Sequence, residues 1–224
     1  MTQLDRTAVD TMKLQLVVFD VDGTLTCHPS IWWRLHQQFG TETQGRLYFQ
    51  KFFSGEISYK QWADLDAGLW AGRRVEDVMN VVRTTRLVTG ARETVDALKA
   101  HGIETAILSG GIDLMANYVA KRLGIDYVLT NRLLHREGLL TGEVDVSVGW
   151  GDKASEIRQI ADHFGVSLGE TCYVGDGRND ISAFSAVGLS ISFRPESEEV
   201  ARAAKVKIQG DDLRLILPHI LGHT

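Results

Sequence analysis

Residues 14–26 read LQLVVFDVDGTLT, and this stretch decides how the rest of the chain is interpreted. Its first part is an apolar run of the kind found in strands that are buried on both faces of a parallel sheet. The run ends on Asp20, and a second acidic residue, Asp22, follows two positions later. We therefore predict a strand over 14–19 whose carboxyl end presents two carboxylates.

Strand and helix patterns alternate through the second half of the chain. Further strands are predicted at 103–108, 126–129, 171–174 and 189–193, and helices at 92–100, 112–123, 153–164, 179–187 and 211–217. Residues 133–148 differ, because an Arg-Glu-Gly turn and alternating polarity indicate a small antiparallel excursion. Repeated strand-helix units predict an α/β fold with an open, parallel, Rossmann-like sheet flanked by helices.

Residues 27–88 interrupt this alternation. They hold four of the five tryptophans and consist of helical stretches at 31–39, 44–53, 59–70 and 75–86, separated by glycines. Ser58 with Gln61 fits a capping box for the third stretch. We predict a small all-helical cap over 27–88, inserted after the first strand into a core made of 1–26 and 89–224. This insertion lies beside the carboxyl ends of the strands, where ligands bind in such sheets.

Composition restricts the possible partners. The chain has 224 residues, 44% hydrophobic residues and a net charge of -5, with no basic stripe along it. That charge distribution argues against nucleic acid as a partner. No apolar run is long enough for a membrane span and the N-terminus lacks a signal-peptide pattern, so we expect no membrane partner and a cytoplasmic location. An oligomeric state does not follow from the sequence.

Polar residues that follow the predicted strands, or begin a predicted helix, form a second pattern. They are Asp20, Asp22, Ser109 with the two glycines after it, Lys153, Asp176 and Asp180. Because the carboxyl ends of parallel strands meet at one edge, we expect these residues to converge on one crevice. Clustered carboxylates repel one another, and a hard divalent cation such as Mg²⁺ relieves that repulsion. The hydroxyl, glycine amides and lysine suit a phosphate group.

Four segments carry a family resemblance. They are Asp20-Val-Asp22-Gly-Thr-Leu-Thr26, Leu108-Ser109-Gly-Gly111, Lys153 and Gly175-Asp176-Gly-Arg-Asn-Asp180. In this order they resemble the four motifs of the haloacid dehalogenase superfamily of phosphatases. Within that superfamily, residues 88–144 and 175–182 resemble phosphoserine phosphatase and its close relatives. The resemblance covers nearly all of the predicted core and fades in the predicted cap.

The resemblance implies a phosphoric monoester hydrolase in which Asp20 is the nucleophile and forms an aspartyl phosphate. Asp22 would be the general acid and base. The resemblance also implies Mg²⁺ as cofactor, and its metal site would comprise Asp20, Asp22 through its carbonyl, Asp176 and Asp180. A small phosphate ester would be the partner, held by Ser109, Gly110, Lys153 and Asn179.

L-phosphoserine is one expected substrate, and a sugar or polyol phosphate is the other. Phosphoserine phosphatases resemble one another in having a cap glutamate and a cap arginine that hold the amino acid. An ungapped placement puts Pro29 or Ser30 at the first position and Asp64 and Asp66 near the second, where an aspartate would repel a substrate carboxylate. Other cap residues could supply specificity, namely His28, Trp32, Trp33, Arg34, Arg73 and Arg74.

An alternative from another functional class is a receiver-like signalling module that carries a phosphorylated aspartate. Such a module also uses Mg²⁺ and a lysine, but it would need neither an acid at Asp22 nor a helical cap. A nucleotide-binding switch would require a G-x-x-x-x-G-K-[ST] loop, which the sequence lacks.

Overall fold

The computed structural model describes residues 13–28 and 30–222. Within them, seven strands form a single sheet: β1 (Leu16–Phe19), β2 (Glu104–Ile112), β3 (Tyr127–Arg136), β4 (Leu139–Asp145), β5 (Thr171–Gly175), β6 (Leu189–Phe193) and β7 (Val206–Ile208). The strand order is β4-β3-β2-β1-β5-β6-β7. Every neighbouring pair is parallel except β3 and β4, which are antiparallel. The predicted fold class is confirmed, with β1 at the centre of the sheet.

Ten α-helices accompany the sheet in the described part of the chain. The first four follow β1 directly: α1 (Ile31–Phe39), α2 (Glu42–Phe53), α3 (Tyr59–Gly68) and α4 (Val75–Arg83). The others are α5 (Ala91–Ala100), α6 (Asp113–Leu123), α7 (Lys153–Phe164), α8 (Ile181–Ala186), α9 (Glu198–Ala203) and α10 (Leu217–Leu221). Among these described helices, none has the length and apolar character needed to cross a membrane.

The core lies on both faces of β1, as the apolar run predicts. All four β1 side chains are buried. Val17 and Phe19 belong to one apolar cluster, together with residues of α5 and α6. Leu16 and Val18 belong to a second cluster, which includes residues of α7 and α8. This alternation follows from the two-residue period of a strand, and it anchors Asp20 at the end of a fully buried strand.

Two of the four helices α1 to α4 begin at caps formed by serine side chains. The Ser30 hydroxyl accepts the Trp33 N–H at the start of α1, and the predicted capping box of Ser58 and Gln61 is present at the start of α3. Ile31 and Leu35 of α1 are buried in the same cluster as Val17 and Phe19. The division into a core and a cap at 27–88 remains a prediction, although all four of these helices lie inside that range.

Several predicted boundaries change in the structure. Strand β2 continues past the predicted end at 108 to Ile112, with a register shift between Ser109 and Ile112 against β3. Gly110 and Gly111 have no side chains, and this makes the irregular pairing possible. The glycine segment is therefore part of the strand end and not a separate loop. Strands β3 and β4 form the predicted antiparallel excursion.

The predicted closing helix at 211–217 is wrong. Residues Leu213–Ile216 form a 3₁₀ turn, and α10 then begins at Leu217 with Pro218 in its first turn. A proline fits there because the first N–H groups of a helix have no intrahelical partner to lose. Pro218 therefore lies in the first turn of a helix, whereas the predicted helix stops at 217, one residue before it. The short α9 and β7 were not predicted.

Gly188, between α8 and β6, supplies a test of this packing. Its N–H donates to the Leu168 carbonyl at 2.7 Å, and an added Cβ would lie 1.7 Å from the Gly169 carbonyl oxygen. We expect Gly188→Ala to lower the free energy of unfolding by about 2 kcal/mol or more, because the backbone at Gly169 would have to move to make room for the Cβ. Urea denaturation would measure this. Gly68→Ala is the control, since the nearest atom to its Cβ is 4.0 Å away. Equal stability of the two variants would contradict the prediction.

Candidate active site

The site is built at the carboxyl ends of β1, β2 and β5. Phe19 stands opposite Ile107 of β2 and Val174 of β5. The Asp20 N–H continues this pairing and donates to the Val174 carbonyl at 2.9 Å. Asp20, Ser109 and Asp176 therefore come within two residues of the same level of the sheet. The predicted convergence of these residues follows directly from the strand registers.

Three carboxylates form the centre of the site. Asp20, Asp176 and Asp180 each offer one oxygen, and these oxygens all lie within 4.8 Å of one another. The Thr24 hydroxyl donates to Asp176 Oδ1 at 2.8 Å. Gly23 has a φ of 82°, and a Cβ on it would lie 2.1 Å from Asp176 Oδ2. Only glycine allows the turn after β1 to approach Asp176 this closely.

Lys153, the first residue of α7, is fully buried between two of these carboxylates. Its Nζ donates to Asp20 Oδ1 at 2.9 Å, to Asp180 Oδ1 at 2.6 Å and to the Tyr173 hydroxyl at 2.9 Å. An ammonium group has three hydrogens, so all of them are directed at protein acceptors. Tyr173 in turn donates to Asp180 Oδ1 at 2.7 Å.

Asp180 orients the backbone that carries Asp176. Its Oδ2 accepts the N–H groups of Asp176 and Gly177, each at 2.9 Å. With Lys153 and Tyr173 on Oδ1, both oxygens of Asp180 are occupied by hydrogen bonds. Asp180 is thus hydrogen-bonded both to the Lys153 ammonium group and to the backbone of Asp176, which follows β5.

Burial dominates the electrostatics of these acids. It raises the pKa of Asp20 to about 7, against the lowering effect of Lys153. Burial and the neighbouring Asp20 and Asp180 carboxylates raise the pKa of Asp176 well above its usual value. Each shift records the free-energy cost of a buried carboxylate. A cation in addition to Lys153 would lower that cost.

The donor set fits a hard divalent cation. Asp20 and Asp176 contribute carboxylate oxygens, the ligands that Mg²⁺ accepts, and no sulfur or imidazole belongs to the described acidic group. The negative charge is also in excess, since Lys153 is the one buried ammonium group hydrogen-bonded to these acids in the part of the chain that the structure describes.

Asp22 lies between the sheet and α1. Its Oδ2 accepts the Ile31 N–H at 2.9 Å, and its buried Oδ1 has no hydrogen-bond partner among the described residues. Burial raises the pKa of Asp22 to about 6, with the Ile31 hydrogen bond opposing the shift. A carboxyl group with this pKa can hold and release a proton near neutral pH.

The end of β2 is held by side chains from several elements. Ser109 is buried, and its Oγ accepts the Gly111 N–H at 3.1 Å. The Gly110 carbonyl accepts three hydrogen bonds, from Trp32 Nε1 at 3.1 Å, the Tyr59 hydroxyl at 3.2 Å and Asn131 Nδ2 at 3.1 Å. Helices α1 and α3 are thereby bonded directly to the strand end beside Asp20.

A cavity of about 580 Å³ opens over these groups. Six of the eight predicted site residues line it, whereas Lys153 and Asp180 lie behind the wall, where they contact Asp20 and Asp176. The six are Asp20, Asp22, Ser109, Gly110, Asp176 and Asn179. All eight are thus gathered in one place, and the roles assigned to them remain predictions.

The cap residues divide into two groups. Ser30, Trp32, Trp33 and Asp66 line the cavity, whereas His28, Arg34, Asp64, Arg73 and Arg74 are absent from its described wall. Arg34 instead bonds the Thr85 hydroxyl and the Val81 carbonyl, and Asp64 is paired with Lys60. Pro29 lies outside the described residues.

Sequence reasoning missed four contributors, namely Thr24, Tyr59, Asn131 and Tyr173. Asn131 had a detectable signal, because it is a polar residue just after the apolar strand predicted at 126–129. Its Oδ1 accepts the N–H groups of Ser147 and Val148, in addition to its bond to Gly110. Tyr173 had no such signal, since it stands inside an apolar strand.

Comparisons with known proteins identify the family to which the chain belongs. A model of the haloacid dehalogenase-like hydrolase family matches residues 17–185, and the chain belongs to that family. The family resemblance seen in the sequence is therefore confirmed. With its relatives taken into account, the chain is a phosphatase, that is, a phosphoric monoester hydrolase.

Among those relatives is the phosphoserine phosphatase of Methanocaldococcus jannaschii, 34% identical over 211 residues that cover 93% of this chain and 98% of that protein. The phosphoserine phosphatase of Wolinella succinogenes is 29% identical over 210 residues, covering 92% of this chain and 100% of that protein. A solved structure of a substrate-bound phosphoserine phosphatase complex superposes with a TM-score of 0.81 at 32% identity, covering 93% of this chain and 99% of that one.

The raised pKa values predict how metal-free protein responds to pH. Between the ordinary value of 3.8 and about 6, folded Asp22 holds a proton that the unfolded chain has lost. Stability must then fall as pH rises through this window, and a similar loss from Asp20 extends it to about 7. In EDTA, we expect the melting temperature to fall between about pH 4 and pH 7, and to fall less in Asp22→Asn. Asp64→Asn should keep the wild-type slope. If the melting temperature of all three proteins changed with pH in the same way, the raised pKa assigned to Asp22 would be contradicted.

Proposed function

We propose that this phosphatase is a Mg²⁺-dependent phosphomonoesterase that acts on a small phosphorylated metabolite through an aspartyl phosphate on Asp20. The observation that carries the proposal is the environment of Asp20 in the cavity wall. Its Oδ1 accepts a hydrogen bond from Lys153, while its Oδ2 accepts none from the described residues. One oxygen is thus held and the other is available to attack phosphorus.

The chemistry follows from the two acids that flank the cavity. Asp20 Oδ2 forms a bond to phosphorus as the bond from phosphorus to the leaving oxygen breaks. Asp22 donates its proton to that oxygen, since an alkoxide leaves poorly without one. Asp22 then takes a proton from the water that attacks the aspartyl phosphate, which releases phosphate and regenerates Asp20.

The residues that would hold Mg²⁺ are Asp20 and Asp176 through their carboxylates and Asp22 through its backbone carbonyl. When bound, the ion neutralises phosphoryl oxygens. Asp180 orients this group through its bonds to the Asp176 and Gly177 N–H groups.

The remaining site residues would bind the phosphate. Ser109 and the Gly110 N–H would meet its oxygens, and Asn179 would contact the substrate near the metal. A contact from Lys153 to the phosphate requires it to exchange one of its three present partners.

Two substrates are candidates. L-phosphoserine is supported by the names of the relatives and by the substrate-bound structure of one of them. A sugar or polyol phosphate is supported by the cavity wall, where no buried lysine or arginine among the described residues is available to meet a substrate carboxylate. A cytoplasmic location and the absence of a nucleic-acid partner remain predictions.

The first test is Asp20→Asn. We expect wild-type protein with Mg²⁺ to release phosphate continuously from a panel of small esters that includes L-phosphoserine. The variant should lose about three orders of magnitude or more in rate, because its amide cannot act as the nucleophile. EDTA should also abolish release, and Asp64→Asn should leave it unchanged. Phosphoprotein that accumulates without turnover would instead support the receiver-like alternative.

The second test separates the role of Asp22 from that of Asp20. Asp22→Asn should slow alkyl esters by about 10²- to 10⁴-fold, since it removes the proton donor for a poor leaving group. p-Nitrophenyl phosphate, whose leaving group needs no proton, should lose much less in the aspartyl phosphate-forming step, measured as kcat/KM. Equal losses for both esters would rule out Asp22 as the general acid.

A further inference from the structure

Aromatic side chains make up much of the cavity wall. Six rings line it: Trp32, Trp33, Phe49, Tyr59, Trp62 and Trp150. Several are in contact with one another, since the Trp62 ring lies 5.7 Å from that of Phe49 and 6.2 Å from that of Trp150, measured between centroids. The leaving group of any substrate bound at Asp20 would therefore meet aromatic faces on α1, α2 and α3. Aromatic faces attract cations through the negative charge of their π systems.

Asp66 of α3 adds a carboxylate to the same wall. Its side chain is 3% exposed, and His36 Nε2 lies 3.2 Å from its Oδ1. That contact is poorly aligned, so Oδ1 has no hydrogen bond from the described residues. Burial raises the pKa of Asp66, and the neighbouring His36 opposes that shift. A buried acceptor without a donor is available to a ligand.

His36 is also hydrogen-bonded through its other ring nitrogen. Trp70 Nε1 donates to Thr41 Oγ1 at 3.1 Å, and Thr41 Oγ1 lies 2.8 Å from His36 Nδ1. When the Thr41 hydroxyl donates to Nδ1, an imidazole proton on Nε2 faces Asp66.

Positive charge is scarce in this wall. Among the described residues that line the cavity, Arg46 is the one lysine or arginine, and it is exposed. Its guanidinium lies over the Trp33 ring, 4.7 Å from the centroid. The aromatic wall therefore already binds a cation at its solvent-exposed side, while the acidic group in its buried part is Asp66.

From this arrangement we propose that the substrate is the phosphate monoester of a cationic amino alcohol without a carboxylate. The inference rests on the proposed function and names the leaving group for the same site. The ammonium group would lie against the aromatic rings and Asp66. A carboxylate on the same leaving group would face Asp66 in a buried environment, where like charges repel strongly. A neutral polyol would gain neither the cation–π nor the ion-pair attraction.

Three esters that differ by one group test the proposal. Phosphoethanolamine carries the ammonium group, L-phosphoserine adds a carboxylate to it, and 2-hydroxyethyl phosphate replaces the ammonium by a hydroxyl. We expect kcat/KM for phosphoethanolamine to exceed the other two values by about tenfold or more. Preference for L-phosphoserine, or equal use of 2-hydroxyethyl phosphate, would overturn the proposal. This comparison uses wild-type protein, so it does not depend on whether a variant folds.

Asp66→Asn then tests the residue itself. The preference for phosphoethanolamine over 2-hydroxyethyl phosphate should fall by about tenfold, mainly through KM, with 2-hydroxyethyl phosphate unaffected. Asp64→Asn is the matched control, since Asp64 lies two residues away on α3 and is absent from the cavity wall. An equal loss for both esters would assign Asp66 a structural role and contradict the proposal.

p-Nitrophenyl phosphate distinguishes this proposal from the proposed function. If Mg²⁺-dependent turnover of p-nitrophenyl phosphate is intact and the alkyl esters show no preference for the ammonium, only the leaving-group proposal fails. If no ester is turned over, both proposals fail.

Discussion

The buried contact of Lys153 with Asp20 and Asp180 is the interaction on which the rest of the site depends. Asp20 directly follows the buried strand β1, and Asp180 follows the buried strand β5. Unpaired charges are costly at such buried positions. The Lys153 ammonium offsets that cost and also joins the start of α7 to the ends of β1 and β5. Removal of this one cation would leave two carboxylates facing each other in a nonpolar environment. The position of α7 and the ionisation of Asp20 therefore depend on the same contact.

The Gly110 carbonyl has a comparable role on the other side of Asp20. It accepts hydrogen bonds from Trp32 of α1, Tyr59 of α3 and Asn131 of β3. A displacement of α1 or α3 would break bonds to the strand end that carries Ser109. Helices α1 and α3 are in this way coupled to the end of β2 through hydrogen bonds. Asn131 extends the coupling to residues 147 and 148, which precede α7.

The family defines the class of reaction, whereas the proposed leaving group would be selected by a different part of the chain. The groups proposed for phosphoryl transfer come from strand ends and from the start of α7. The groups that would contact the rest of the substrate come largely from α1, α2 and α3. Because function resides in sites more than in folds, similarity to phosphoserine phosphatases and a different leaving group are compatible. The Asp66 carboxylate and the aromatic wall are the features in which that difference would reside.

The sequence by itself determined the α/β fold and the gathering of the eight site residues. An apolar strand followed by Asp20 is a local pattern, and parallel strands bring all such ends to one edge. Only the tertiary structure showed that Tyr173 bonds Lys153, that Asp66 lines the cavity while Asp64 does not, and that Pro218 stands inside a helix. Sequence periodicity specifies which face of an element is apolar. It does not specify which polar atoms meet across elements, because those contacts depend on packing distances of a few ångströms that no local pattern encodes.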